Sequence, residues 1–262
     1  MSESRPRALG SLIEHRGRLT RFQFYSPAFD FYDHWSELDP EVSGAHSGLP
    51  RLCEALAHDF NNLAVLASEL LRWSQPGELW KSEGAVAVGT FAEAYITTLR
   101  SAADVVAGLT AYCACTKPGQ APNGSLHDLL KWAHKNPTRV RSEASVFINA
   151  DWSWFFEMRT MRDLLVHDGL HANIFSNRKA YRLWVHSPSR GWVTRTPLFP
   201  LLGKWTRRLQ NSATVSGQLL AEYTNLPSRR IRSRVLEGVF IPYLHKFLSV
   251  AEKPVEPESS DI

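Results

Sequence analysis

The sequence predicts a mainly α-helical fold, a helical bundle with one small β-hairpin inserted late in the chain. Two observations carry this. Long stretches place apolar residues at three- and four-residue steps, the period of a helix with one buried face. Only around residues 180–196 does the pattern change, to two short runs of β-formers separated by a link rich in serine, proline and glycine. Nine tryptophans and thirteen phenylalanines among 262 residues supply ample apolar area for a core.

Taken in order, residues 1–50 are expected to form an irregular N-terminal lead-in. The first twenty are basic, and residues 21–50 are aromatic but broken by Pro27, Pro40, Gly44, Gly48 and Pro50. A helix is predicted over 51–73, where Leu52, Leu56, Phe60, Leu63, Leu66 and Leu70 line one face and Gln75-Pro76-Gly77 ends it. A second runs over 85–113 on Phe91, Tyr95, Leu99, Ala102, Val106 and Leu109. Ser125 is placed to cap a short helix reaching Lys135. Residues 142–167 form another, with a break at either Asn149 or Asp151 and Gly169 placed to close it. The hairpin pairs residues 181–185 with 192–195. Helices then resume over 201–223 and 228–250, with Pro227 between them and Pro242 interrupting the second. The helical domain thus spans 51–251, and 252–262 is an acidic, proline-containing tail of disordered character.

Composition narrows the classes of function. Residues 1–21 are polar and basic, without the apolar stretch of a secretory signal, and no run of about 18 apolar residues could span a bilayer. Cys53, Cys113 and Cys115 form no paired C-x-x-C clusters, which argues against structural zinc and against a disulfide framework. The expectation is a cytoplasmic chain with no membrane partner. The formal net charge is +4, concentrated late: Lys204, Arg207, Arg208, Arg229, Arg230, Arg232, Arg234 and Lys246 face only Glu222 and Glu237 over 201–250. Two readings compete there, a surface for phosphates and a solvated helix face.

The stretch with most chemical content is 152–169, which holds Arg162, Asp163 and His167. Residues five apart on a helix are rotated by about 140°, so Arg162 and His167 share a broad face, while Asp163 and His167, four apart, stack. A histidine beside a carboxylate at a helix C-terminus is expected to hold its proton more firmly. Such a histidine suits acid–base work on RNA, in which the 2′-hydroxyl attacks the adjacent phosphate. Arginine offers a planar fork of donors to the charge growing on the phosphoryl oxygens.

Arg162, the polar Asp163, three apolar residues and His167 resemble the R-x4-6-H signature of HEPN ribonucleases. The similarity extends upstream to Tyr95–Ala107, and covers about residues 85–170. It implies a HEPN-like bundle that cleaves RNA without metal or other cofactor, with Arg162 and His167 as catalytic residues and Asp163 in support. It further implies a homodimer, with the motifs of two protomers facing across one cleft. A setting in toxin–antitoxin systems or antiviral defence follows, with a nucleotidyltransferase-type antitoxin as one precedent for a partner. Asp163 departs from the commoner Asn at its position, which puts its role in doubt. A non-catalytic HEPN-type binding or regulatory protein is the alternative from another class.

A rival resemblance lies in Leu56-Ala57-His58-Asp59-Phe60-Asn61-Asn62-Leu63, which looks like the phosphoacceptor box of sensor histidine kinases. No glycine-rich ATP-binding boxes follow it, so it implies at most a phosphotransfer module at His58. The plainer expectation leaves His58 and Asp59 facing solvent while Phe60 and Leu63 pack inward. Arg51 with His58 also matches the looser arginine–histidine spacing. His171, His186, Arg190 and Arg195 are further candidates for RNA contact, and Trp184 and Trp192 for base stacking or a local core. Cys113 and Cys115 read as packing at a helix end.

Overall fold

The structure is a computed structural model and describes residues 12–15, 18–21, 48–75, 77–78, 82–115, 117, 119–167, 172–176, 180–187, 192–224 and 241–252. Its helices are α1 (Leu49–Trp73), α2 (Ser82–Ala114), α3 (Leu126–Lys135), α4 (Ser145–Ile148), α5 (Ser153–His167), α6 (Leu198–Thr224) and α7 (Ile241–Ala251). Its strands are β1 (Leu12–His15), β2 (Arg18–Arg21), β3 (Ala172–Ser176), β4 (Tyr181–Ser187) and β5 (Trp192–Pro197). The fold is mainly helical with a small antiparallel sheet, as the sequence predicts.

Helix α2 is the hub. At about 1.5 Å per residue its 33 residues run roughly 50 Å, and it packs on α1, α3, α5, α6 and β3. Its inward positions mix Ala92, Ala102, Ala103 and Ala107 with Tyr95, Ile96, Leu99 and Val106, all buried. The alanines give neighbouring helices close approach, and the larger side chains fill the space between them. From α1 come Leu56, Phe60, Leu63 and Leu70, from α6 Leu202, Trp205 and Leu209, and from α7 Leu244, Phe247 and Leu248. Two buried polar pairs tie α2 to α6: Tyr95 Oη with Thr206 Oγ1 at 2.9 Å, and Thr110 Oγ1 donating to Ser216 Oγ at 2.9 Å. Paired in this way, the hydroxyls avoid the cost of burial without a partner.

The helix starts follow local chemistry. The Ser125 hydroxyl accepts from the Asp128 backbone N–H at 3.1 Å, capping α3 as expected. From α2, Asp104 Oδ1 accepts the Leu126 N–H at 2.9 Å, so one carboxylate caps α3 and anchors it to the hub. The helix expected over 142–167 is two. One turn, α4, ends at Ile148, and α5 starts at Ser153, whose N–H donates to Asp151 Oδ1 at 3.0 Å. Trp152 Nε1 bridges the break to the Phe147 carbonyl at 3.0 Å. The break therefore takes in both candidate positions.

Two expectations are corrected. The late hairpin is a three-stranded sheet of order β3-β4-β5, because residues 172–176 pair with β4 and place Ile174 opposite Leu183. Pro242 stands in the first turn of α7, where a backbone N–H has no intrahelical partner to lose, and residues 228–240 of the helix expected before it lie outside the described residues. Strands β1 and β2 pair inside the segment expected to lack regular structure, with Leu12 opposite Arg21 and His15 opposite Arg18. Gly169, residues 225–240 and residues 253–262 lie outside the described residues, and with them the predicted cap, the start of the helix expected from 228 and nearly all of the tail.

Candidate functional site

Helix α5 carries all three residues of the motif. Its inner side is aromatic: Trp154 and Phe155 are buried with Met158, and Arg100 of α2 lies over the Phe155 ring at 5.8 Å. Glu157 fastens the helix to α6 by accepting from Lys204 Nζ at 2.9 Å and from Trp205 Nε1 at 3.1 Å. At about 100° per residue, Ser153, Phe156, Arg159, Thr160, Asp163 and Val166 fall within one arc of about 140°. Every one of these residues is exposed or half-buried. Position 167 falls on the same arc.

Arg162 lies at the flank of that arc, on the side of buried Phe155, and its side chain is 27% exposed. Its Nη1 donates to Asp163 Oδ1 at 3.0 Å. The other carboxylate oxygen, Oδ2, lies 3.9 Å from Arg159 Nε, one turn back. Asp163 therefore serves two guanidinium groups, where the sequence suggested a histidine partner. His167 closes the helix, and its side chain lies outside the described residues. The structure thus joins Arg162 to Asp163 and puts His167 on the same helix just over one turn further on. Sequence reasoning passed over Arg159, although its four-residue spacing from Asp163 was the available signal.

The basic segment resolves in favour of paired charge where it is described. Lys204 binds Glu157, Arg207 binds Glu252, and Arg208 lies 3.7 Å from Asp151. Lys246 is exposed, and Arg229, Arg230, Arg232 and Arg234 lie outside the described residues. Arg208, Asp151 and Asn211 line a cleft of about 110 Å³ together with the buried Phe147, Trp152 and Trp154. Asp151 is held below the usual carboxylate range by its bonds from Ser153, with Arg208 adding to the effect.

No family model, curated protein or solved structure matches the chain.

The rival box is split by the fold. His58 is exposed midway along α1, whereas Asp59 is buried, so the expectation that both face solvent holds for His58 alone. Burial raises the Asp59 carboxyl above its ordinary value, and the Ser101 hydroxyl and the His58 charge pull it partly back. Asp59 Oδ2 has no hydrogen-bond partner. Phe60 and Leu63 pack inward. The cysteines are buried in the core, with burial pushing the Cys113 thiol up to about 12 and the Cys53 thiol higher still, so both stay protonated at neutral pH. Among the described residues, no group of three His, Cys, Asp or Glu side chains could hold a metal ion, and no helix is long and apolar enough to cross a membrane. Trp184 is half-buried on β4 opposite Arg195. His171 and Arg190 lie outside the described residues, as do the side chains of His186, Trp192 and Arg195.

Proposed function

We propose that the chain is a HEPN-like, metal-independent endoribonuclease, working as a cytoplasmic homodimer in which Arg162 and His167 of both protomers form one composite site. The observation that carries this reading is the Arg162–Asp163 bond, which fixes a half-buried guanidinium beside the exposed arc that His167 ends. A fixed guanidinium gives phosphate charge a preorganised partner, and a histidine at the helix end supplies the proton transfer. The reaction is attack of a 2′-hydroxyl on the adjacent phosphorus, which yields a 2′,3′-cyclic phosphate and frees the 5′-hydroxyl of the next nucleotide. A toxin or antiviral effector restrained by an antitoxin is the biological setting that goes with this chemistry.

The test is RNA degradation by purified protein in excess EDTA, beside His167→Ala and Arg162→Ala. Cleavage that both substitutions abolish supports the assignment. Equal cleavage by all three places the activity elsewhere, and none by folded wild type across several RNAs favours a non-catalytic HEPN-type binding or regulatory protein.

The second reading, a phosphotransfer module, draws on the exposure of His58 on a helix packed along α2. Incubation with a small-molecule phosphodonor followed by mass spectrometry separates the two. Acid-labile phosphate that His58→Gln removes would favour phosphotransfer.

A further inference from the structure

We propose that the exposed face of α3 binds the backbone of single-stranded RNA and leads the strand onto α5 across the His127–Phe156 contact. The choice of ligand rests on the ribonuclease reading, and the surface is one that reading does not contain.

The face follows from the order of residues in α3. Leu126, Leu129 and Ala133 are buried. At about 100° per residue, His127, Lys131, His134 and Lys135 fall within one arc of about 100° on the opposite side. Lys131, His134 and Lys135 are exposed, and His127 is half-buried. Asp128 borders this arc and is occupied at the helix start, accepting from the Ser125 hydroxyl at 2.8 Å.

Unpaired charge sets the face apart. Elsewhere cations meet acids: Arg72 meets Glu69, Arg100 meets Asp104, Lys204 meets Glu157 and Arg207 meets Glu252. Lys131 and Lys135 enter no ion pair among the described residues, nor does Arg139 in the short turn just beyond. Arg51 and Lys246 are unpaired too, but neither has a second cation one turn away on its helix. Lys131 and Lys135, one turn apart, repel each other until an anion covers them. Their step of about 6 Å along the axis suits successive phosphates of an extended strand.

The other end of the face says which polyanion. His127 meets Phe156 of α5 edge-on, with 6.0 Å between ring centroids. Phe156 is 42% exposed, so a base can stack on it beside the cationic row. An acidic peptide lacks the base, and a duplex keeps its bases stacked inside. The joint between the two helices is firm. Asp104 Oδ1 accepts the Leu126 N–H, its Oδ2 accepts from Arg100 Nε at 3.2 Å, and the Arg100 guanidinium lies over Phe155. The strand is thereby aimed at Arg162, six residues or about 9 Å further along α5.

The test is fluorescence anisotropy in EDTA with a labelled single-stranded 2′-O-methyl RNA of about twelve nucleotides. This probe lacks the attacking hydroxyl, so binding is read without cleavage. Wild type should bind it at about 50 mM salt and release it as salt rises. Lys131→Gln combined with Lys135→Gln should weaken binding about tenfold or more. It should also lower the slope of log Kd against log salt by about 1.4, two phosphate contacts at about 0.7 each. Arg51→Gln combined with Lys246→Gln removes the same charge elsewhere and should change neither quantity. Phe156→Ala should weaken binding about fivefold or more at unchanged slope. Circular dichroism checks that each variant keeps its helices. A folded wild type that fails to bind, an α3 double variant that binds as wild type does, or a control pair that loses as much would each overturn the face. Polyglutamate that displaces the RNA charge for charge, with Phe156→Ala without effect, would make it a surface for acidic protein and overturn the RNA assignment. Ordinary RNA judges the ribonuclease separately. Binding through α3 without cleavage removes the ribonuclease and leaves the face. Cleavage whose kcat/KM is untouched by the α3 double variant removes the face and leaves the ribonuclease.

Discussion

Asp163 is bonded to Arg162, its neighbour in the chain, with Nη1 and Oδ1 3.0 Å apart. The carboxylate thus steadies the guanidinium, and in the proposed ribonuclease it would act on phosphate through that group. Asp163→Asn keeps an oxygen at that place, so it should lower RNA cleavage by about tenfold or less, whereas Arg162→Ala should lose about 10²–10³-fold. Single-turnover cleavage in EDTA compares the two. Losses of equal size would mean that the negative charge of Asp163 itself takes part.

Glu157 is the fastener between α5 and α6. Glu157→Ala would strand the indole N–H of the fully buried Trp205 and should cost about 1–3 kcal/mol in urea unfolding. Glu157→Gln keeps an acceptor and loses only the exposed pair with Lys204, so it should cost about 1 kcal/mol or less.

Gly203 lets α6 lie against α7. A Cβ there would come 2.6 Å from the Ala251 Cβ, closer than two carbons can sit. Gly203→Ala should destabilise the fold by about 1–3 kcal/mol, seen as a lower melting temperature.

His245 is buried in α7, and burial with the nearby Arg207 charge brings it down to about 4. The unfolded chain therefore binds a proton that the folded chain refuses between about pH 6.5 and 4. Stability should fall as pH drops through that window, by an amount on the order of 3 kcal/mol. Unfolding midpoints measured from pH 7 to pH 4 should show the slope, and His245→Gln should flatten it.

Asp59 has the opposite sign. Its carboxyl is raised, so its contribution to stability is present below the unfolded value and is lost as pH rises through the folded one. It is a buried carboxyl with one oxygen, Oδ2, lacking a hydrogen-bond partner. Asp59→Asn should raise stability at pH 7 by about 1 kcal/mol and leave it nearly unchanged at acid pH. Unfolding in urea at pH 7 and at low pH checks both halves.

Much of the helical framework was legible because its signals are local. Leucines at helical spacing mark α1, Ser125 marks the start of α3, and the helix expected from 201 is α6, which starts three residues earlier at Leu198. Strand β3 was missed because 172–176 is short, and only its pairing with β4 makes it a strand. At the site, the sequence named Arg162 and Asp163 and paired the carboxylate with His167, whose side chain lies outside the described residues; its described partners are Arg162 and Arg159. Spacing puts both Arg159 and His167 four residues from Asp163, and adjacency puts Arg162 closer still. Choosing among them takes side-chain positions that a sequence does not supply. Three cations of the basic segment are similar: Lys204, Arg207 and Arg208 find their acids on α5, just past α7 and on the link before α5, all distant in the chain.

Strand β5 ends at Pro197 and α6 begins at Leu198, with no residue between them. A one-residue slip of β5 along β4 would have to turn α6 by about 100°, carrying Leu198, Leu202, Trp205 and Leu209 away from the core. The long helix acts as a keel for the small sheet, and misaligned strands are rejected by the cost of tilting it.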